Sequence, residues 1–363
     1  MPSAARTRVD RPLVKALLQG RGRQVARTEP LCGTAAVPPD AGGSDRRPAV
    51  GVTYHRNDFV DDAAATISVR AKAFNYGLGC FGGVRGYWDE KQGELYVFRL
   101  ADHVERLFES AHILGLVPTV SQDDVARILC ELLRRNDARE DHYIRPLFFV
   151  DSDELSPTLT DVPTSLIIYC LPLGRYFKSE SIDLCVSSWR RVADNAIPAR
   201  AKPTGAYLNS ALARAEAKRN GFDDAVVLTE SGEVSEASAA HLFMVRRGEL
   251  VSPPSTADNL EGITRRSILE LAVAAPLNLK VVERRISRTE LYVADEVFLS
   301  GTAAEVTPVA SIDRRRIGTG KVGPATAAIA ARFRDVARGG DPAYASWLTP
   351  VWGRETKRSV AAS

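Results

Sequence analysis

The chain has few of the features that mark membrane, metal-binding or disulfide-rich proteins. Its 363 residues contain no run of about eighteen apolar residues, so no segment is expected to span a membrane. The five histidines show no close metal-ligand spacing, and we expect no metal. The formal net charge of +3 is too small to indicate a nucleic acid or a membrane surface as a partner. The five cysteines are an odd number and form no C-x-x-C pair, which argues against a full disulfide framework. They are Cys32, Cys80, Cys130, Cys170 and Cys185.

The composition that is present, 45% apolar and 26% charged residues, is typical of a globular protein, and we expect a cytoplasmic location. Residues 1–48 differ from the rest. Seven Arg or Lys stand among the first thirty residues against Asp10 and Glu29, and a Pro/Gly-rich linker, AVPPDAGGSDRRP, ends the segment. We expect a disordered N-terminal extension here, and a transit peptide, which is also Arg-rich and acid-poor, is the alternative.

Beyond residue 48, strand and helix patterns are mixed, which predicts an α+β fold with two domains. GVTYHRNDFV, ATISVRA and GELYVFRL are predicted strands, and SLIIYCLPL is apolar enough for a strand buried on both faces. ADHVERLFESAHILGL and SQDDVARILCELLRR are predicted helices, the second with Ser121 as N-cap and Asp124 three residues later. We place a small domain at 49–190, a connection at 191–201, a larger domain at 202–345 and a tail at 346–363, with a site at the domain junction.

The segment AKPTGAYL gives a lysine an unusual setting. Lys202 stands at the end of an irregular stretch, directly before Pro203 and a helix predicted from Ala206 to Asn220. A solvated lysine needs no such setting, whereas a lysine that does covalent chemistry needs a fixed direction and a lowered pKa. Tyr207, five residues after the lysine, can point its hydroxyl back toward the amine.

Three further motifs suit a bound cofactor that is aromatic and anionic. Glu236, in GEVSEASAAHLF, follows a turn and could keep a heterocyclic ring nitrogen protonated. Gly262, Ile263 and Thr264 stand at a helix N-terminus, where backbone N–H groups and a hydroxyl form a phosphate site. The small residues of Gly301-Thr302-Ala303 end a strand and let backbone amides approach an anion. Each motif alone also fits an ordinary solvated or capping residue, so only the combination indicates a cofactor site.

In their order and spacing these motifs resemble the fold-type IV pyridoxal-phosphate enzymes, and most of all the branched-chain amino acid aminotransferases of class IV. The resemblance runs from about Gly51 to about Val336 and rests on FRLADHVERL, YIRPLFFV, KPTGAYL, EVSEA, LEGITR and FLSGTAAEVTPV. It implies the two-domain α+β architecture of fold type IV with the cofactor site at the domain junction. It also implies pyridoxal 5′-phosphate as the cofactor and a homodimer.

The resemblance also implies roles at the cofactor. Lys202 would be the catalytic residue, which holds the cofactor covalently and moves the proton at the substrate's Cα. Glu236 would pair with the pyridine nitrogen, and Tyr207 would hydrogen-bond the phenolic oxygen of the ring. The phosphate would be bound by Arg106, the Ile263 amide, Thr264 and Thr302, and the remaining implied cofactor contacts are Leu260 and Gly301.

On the substrate side the resemblance implies one polar and one apolar region. The amides of Thr302 and Ala303, with Tyr143, would hold the α-carboxylate of the amino acid. Arg145 would bind the distal carboxylate of glutamate or 2-oxoglutarate. The apolar region would be lined by Phe81, Tyr176 and, across a dimer interface, Tyr76.

Four features depart from the family pattern. The family commonly has Phe-Glu-Gly where this chain has Phe81-Gly82-Gly83, so Gly82 replaces an acidic side chain. Leu173 stands where some relatives have tryptophan. His241 occupies a position where asparagine is common. The segment 151–161, DSDELSPTLTD, is more acidic than expected for a loop that covers a neighbour's aliphatic pocket. We interpret all four as bearing on substrate choice and none as touching the cofactor.

These observations predict ping-pong transamination between a branched-chain L-amino acid (Leu, Ile or Val) and 2-oxoglutarate. One alternative is an aminotransferase of the same chemistry with another amino donor in specialised metabolism. A second is a lyase of the aminodeoxychorismate lyase type, which would release pyruvate without an amino acceptor. A third is a non-catalytic binding protein, against which Lys202, Tyr207, Glu236 and Arg106 are all present.

Overall fold

The computed structural model describes residues 51–353, and the predicted extension at 1–48 with its transit-peptide alternative lies outside them. The strands are β1 (Val52–His55), β2 (Asp58–Asp61), β3 (Gly79–Phe81), β4 (Val84–Asp89), β5 (Glu94–Phe98), β6 (His142–Val150), β7 (Thr164–Pro172), β8 (Ile182–Arg190), β9 (Asp224–Leu228), β10 (Val234–Ala237), β11 (His241–Arg246), β12 (Glu249–Ser252), β13 (Lys280–Glu283), β14 (Glu296–Gly301), β15 (Glu305–Ile312), β16 (Arg315–Arg316) and β17 (Leu348–Pro350). The α-helices are α1 (Lys72–Tyr76), α2 (Leu100–Ile113), α3 (Gln122–Arg135), α4 (Tyr207–Arg219), α5 (Ile263–Val273), α6 (Arg288–Leu291) and α7 (Pro324–Ala337). Within residues 51–353, no helix is both long and apolar enough to cross a membrane.

The strands form two sheets, and together with the helices they confirm the predicted α+β fold. The first has the order β17-β5-β4-β6-β7-β1-β2, with β3 paired to β6. The second has the order β10-β9-β8-β15-β14-β11-β12-β13, with β16 paired to β15, and it contains parallel pairs at β8–β9, β8–β15 and β12–β13. Strand β8 belongs to the second sheet and β17 to the first. The proposed domain boundaries near residues 190, 202 and 345 stay predictions.

The first sheet is covered by α2 and α3. Helix α2 buries Val104, Leu107 and Ala111, whose spacing of three and four residues puts them on one face of the helix. Helix α3 begins with the predicted capping box, in which Ser121 Oγ accepts from the Asp124 amide at 3.1 Å. Both predicted helices and the predicted cap of α3 are confirmed, because these signals depend only on residues three or four apart.

A second region of core joins the two sheets. Tyr87 and Phe98 of the first sheet share a cluster with Phe243 and Phe298 of the second and with Phe333 of α7. The ring of Phe333 packs edge-on against Phe98 of the first sheet, with centroids 5.3 Å apart, in the same cluster as Phe243 and Phe298. This close packing fixes the two sheets against each other, so a cavity lined from both sheets has rigid walls.

Two predictions about strands are wrong. Residues 65–71, ATISVRA, form no strand: Ile67 and Val69 are exposed, and β propensity without a neighbouring strand to pair with does not produce one. Strand β7 is not buried on both faces, since burial alternates along it from Thr164 to Ile168. It lies in an antiparallel region of the sheet, where one face meets the helices and the other is only partly covered.

Candidate functional site

Lys202 sits in a constrained backbone position. It ends a 3-10 turn over Ala199–Ala201 with φ 43° and ψ 51°, in the left-handed region. That conformation is unfavourable for a residue with a Cβ, and the proline that follows disfavours helical backbone angles as well. The Lys202 amide donates to the Ala199 carbonyl at 3.2 Å, and the Lys202 carbonyl accepts from the Phe81 amide at 3.3 Å. Contacts from both sides therefore hold the lysine in one direction.

The side-chain amine of Lys202 has a lowered pKa, so it is neutral in part near pH 7. Burial is the main cause that lowers its pKa, from 10.5 to about 7; Arg106 lowers it further, and Glu236 opposes both. The amine donates to the Tyr207 hydroxyl at 2.8 Å, as the spacing of five residues suggested. Burial, with Glu236, raises the pKa of Tyr207 to about 12, so its hydroxyl keeps its proton. The Tyr207 ring packs against Phe81 with centroids 4.8 Å apart.

Glu236 is a buried carboxylate with two side-chain partners. It is 5% exposed in β10, where Arg191 Nη2 lies 2.9 Å from Oε1 and His241 Nδ1 lies 3.4 Å from Oε2. Burial raises the pKa of Glu236, while Arg191 and Lys202 oppose that change. A buried carboxylate in this position can pair with a protonated ring nitrogen. His241 touches the proposed cofactor side of the site, so the interpretation that it bears only on substrate choice is wrong.

Arg106 and the start of α5 form an anion site. Burial lowers the pKa of Arg106 to about 10, and its Nη1 donates to the Glu261 carbonyl at 3.2 Å. Among residues 51–353 no carboxylate makes an ion pair with it. Helix α5 begins at Ile263 after the N-cap Gly262, which offers no side chain to the first amides, and Thr264 is buried beside them. A half-buried guanidinium next to helix N–H groups that no side chain caps is suited to a phosphate.

The opposite wall combines an arginine with aromatic rings. Arg145 Nη2 donates to the Tyr143 hydroxyl at 2.8 Å, and its guanidinium carbon lies 4.2 Å from the Phe81 ring centroid. Thr302 Oγ1 donates to the Gly83 carbonyl at 3.0 Å. A Cβ added to Gly83 would lie 2.5 Å from the Tyr143 hydroxyl oxygen, so any larger residue here would displace the Tyr143 ring.

A cavity of about 390 Å³ brings these groups together. Its lining includes every predicted cofactor residue, namely Arg106, Lys202, Tyr207, Glu236, Leu260, Ile263, Thr264, Gly301 and Thr302. It also includes all but one of the predicted substrate residues, namely Phe81, Tyr143, Arg145, Tyr176 and Ala303. The exception, Tyr76, lies outside this cavity in the single chain, and its hydroxyl donates to the Leu155 carbonyl at 2.7 Å. Their individual roles remain predictions.

Three arginines at the site were missed from the sequence. Arg191 pairs with Glu236, and Arg214 donates to the Tyr176 hydroxyl. Arg85 is buried; its Nη1 donates to the Ala303 carbonyl at 3.2 Å, which helps to hold the turn between β14 and β15. Each contact joins segments far apart in the chain, so no local pattern could have identified them.

Known proteins are similar to this chain over most of its length. A family model described as Amino-transferase class IV matches residues 79–312. A probable branched-chain-amino-acid aminotransferase of Aquifex aeolicus is 43% identical over 291 residues, covering 80% of this chain and 93% of that protein. The crystal structure of a branched-chain aminotransferase from Thermoproteus uzoniensis with norvaline has a TM-score of 0.80 and 40% identity, covering 83% and 99% of the two chains. The branched-chain amino acid aminotransferase from Thermobaculum terrenum in its PLP-bound holo-form has a TM-score of 0.79 and 37% identity, covering 83% and 98%.

Proposed function

Since this chain belongs to the class IV aminotransferases, which are pyridoxal 5′-phosphate enzymes, we propose that it transfers the amino group of L-leucine, L-isoleucine or L-valine to 2-oxoglutarate. The observation that carries the proposal is the cavity itself. A lysine amine with a pKa of about 7 and a wall that combines Arg145 with aromatic and aliphatic side chains open onto the same space.

The residues present fit the cofactor. Arg106 is a half-buried cation without an ion-paired carboxylate among residues 51–353, and it lies near the amides of Ile263 and Thr264, as a phosphate requires. Glu236 supplies a buried negative charge for a protonated pyridine nitrogen, and Lys202 supplies an amine for covalent attachment. When bound, pyridoxal phosphate supplies an electron-accepting ring that stabilises the negative charge left when the substrate's Cα loses a proton.

Three side chains of the site have separate roles in the proposed reaction. The Lys202 amine, with a pKa of about 7, is neutral in part at neutral pH and would accept the substrate's Cα proton and return it. Tyr207 would donate to the ring oxygen of the cofactor, because burial raises the pKa of its hydroxyl to about 12 and keeps it protonated. Burial also excludes water from Glu236, which would strengthen its electrostatic contact with the bound group.

One pocket must accept an aliphatic side chain in one half-reaction and a carboxylate in the other. Phe81, Leu173 and Tyr176 line the apolar part of the cavity. Arg145 lies over Phe81 with its guanidinium held by Tyr143, so the cation is available at the edge without occupying the apolar space. An arginine held over an aromatic ring can bind a distal carboxylate and still leave room for a leucine side chain.

This arrangement favours a ping-pong order, because donor and acceptor use the same cavity in turn. A homodimer is also part of the proposal, supported by exposed Phe74 and Tyr76 beside the segment 151–161, where Leu155 is 87% exposed.

A cytoplasmic location is supported by Cys80, Cys130, Cys170 and Cys185, which are unpaired.

The proposal is tested by L-glutamate formation from 2-oxoglutarate with a panel of amino donors. We expect L-leucine, L-isoleucine and L-valine to react well, D-leucine not to react, and Lys202→Ala to be inactive with all of them. Activity confined to a donor outside the branched-chain group would support the specialised aminotransferase instead. Pyruvate release from aminodeoxychorismate without a 2-oxo acid would support the lyase.

A further inference from the structure

His241 links two parts of the cofactor site. It is the first residue of β11, 6% exposed, and its Nδ1 lies 3.4 Å from Glu236 Oε2. The other edge of the ring faces the start of α5: a Cβ added to Gly262 would lie 1.9 Å from His241 Nε2. One imidazole therefore contacts both the carboxylate that faces the ring nitrogen and the helix cap beside the phosphate site.

The surroundings decide which form of the imidazole is present. Burial lowers the pKa of His241 well below 6.5, and the cations Arg265, Lys202, Arg106 and Arg191 lower it further. The side chain is therefore neutral, with a proton on one ring nitrogen only. Nε2 faces the N-terminus of α5, whose positive end favours a lone pair there. The proton consequently lies on Nδ1, which can donate toward Glu236 without adding a charge that would compete with a protonated ring nitrogen.

We propose that His241 is a positioning residue that orients the Glu236 carboxylate toward the cofactor's ring nitrogen and ties it to the phosphate-binding start of α5. Arg191 fixes one carboxylate oxygen and His241 restrains the other, so the side chain cannot rotate away from the cavity. The inference rests on the proposed role of Glu236. It concerns cofactor binding and does not depend on which amino acid is the donor.

The test uses the matched pair His241→Asn and His241→Leu. The asparagine keeps an amide donor at the position of Nδ1, whereas leucine has a similar shape without a donor. The measurement is the dissociation constant of the apo-protein for pyridoxamine 5′-phosphate, which binds without a covalent bond. We expect a weakening of about tenfold for His241→Leu, from the loss of one polar contact with a charged group, and less than about threefold for His241→Asn.

A double-mutant cycle with Glu236→Ala separates positioning from general packing. With no carboxylate to orient, His241→Leu should cause no further loss of affinity. Equal losses for the Asn and Leu variants, or the same loss with and without Glu236, would overturn the proposal. Because no amino donor is present, failure of leucine transamination would leave these results unchanged.

The contact with α5 is tested without cofactor. Gly262 has φ −74° and ψ 130°, which alanine can adopt, so only the close approach of His241 opposes a Cβ there. We expect Gly262→Ala to lower the Tm of the apo-protein, and we expect no such loss when Gly262→Ala is added to His241→Ala. An unchanged Tm for Gly262→Ala alone would contradict the placement of the imidazole. The Tm values of the His241→Asn and His241→Leu apo-proteins, when close to that of the wild type, establish that both variants fold.

Discussion

The pKa of Lys202 near 7 gives a prediction that can be measured on one amine in the apo-protein. In a protein with this pKa, the neutral fraction of Lys202 rises only about tenfold between pH 6 and pH 8 and then levels off. A lysine with the ordinary pKa of 10.5 would gain about 100-fold over the same range and continue to rise. The two behaviours differ in shape as well as size.

The assay is competitive acetylation with trace acetic anhydride, in which the peptide carrying Lys202 is quantified by mass spectrometry at each pH. The exposed Lys91 in the same digest serves as the internal reference. We expect the rate at Lys202 to reach a plateau above about pH 8. Arg106→Gln should move the midpoint to higher pH and Glu236→Gln to lower pH, because Arg106 lowers the pKa of Lys202 and Glu236 raises it. A rate that still rises tenfold per pH unit at pH 9 would refute the argument that burial controls this amine.

Three further predictions concern other groups of the site. Arg145→Met should raise KM for 2-oxoglutarate by about 10- to 100-fold and KM for L-leucine by less than about threefold; equal changes would contradict its proposed selectivity. Gly83→Ala should disrupt the Tyr143 hydroxyl and weaken substrate binding, whereas Gly174→Ala, with no atom within 4 Å of its Cβ, should leave kinetics unchanged. Lys202→Met should stabilise the apo-protein most below pH 7, since the folded-state pKa lies below the unfolded value. This advantage should shrink by about 2 kcal/mol between pH 7 and pH 9 in denaturant titrations, and a constant difference would contradict the low pKa.

Local signals in the sequence predicted the local parts of the site. The spacing of Lys202 and Tyr207 predicted that the hydroxyl points toward the amine, and the structure places the two atoms 2.8 Å apart, because both residues flank one short turn at the start of the helix. Thr264 at the start of α5 was likewise visible from its own neighbours. Arg106 was different: a helical charge looks solvated, and only the family resemblance indicated that it enters the site.

Contacts between distant segments could not be predicted. Arg191 was interpreted as part of a connection, yet it ion-pairs with Glu236 of β10 at 2.9 Å. His241 was interpreted as bearing only on substrate choice, because nothing near it in the sequence shows that β11 brings it beside Glu236. Which residues of two strands meet depends on sheet order and register, and side-chain alternation sets only the face of each strand.

The central claim is that Lys202 and this cavity carry out transamination of branched-chain amino acids, and the visible absorption of the protein reconstituted with pyridoxal phosphate tests it most directly. The account predicts that L-leucine bleaches the band of the lysine-bound cofactor to that of the pyridoxamine form, and that 2-oxoglutarate restores it. Lys202→Ala should show neither change. A band that forms at Lys202 but does not respond to L-leucine, L-isoleucine or L-valine would contradict the proposed substrate, and no Lys202-dependent band at all would contradict the account of the site.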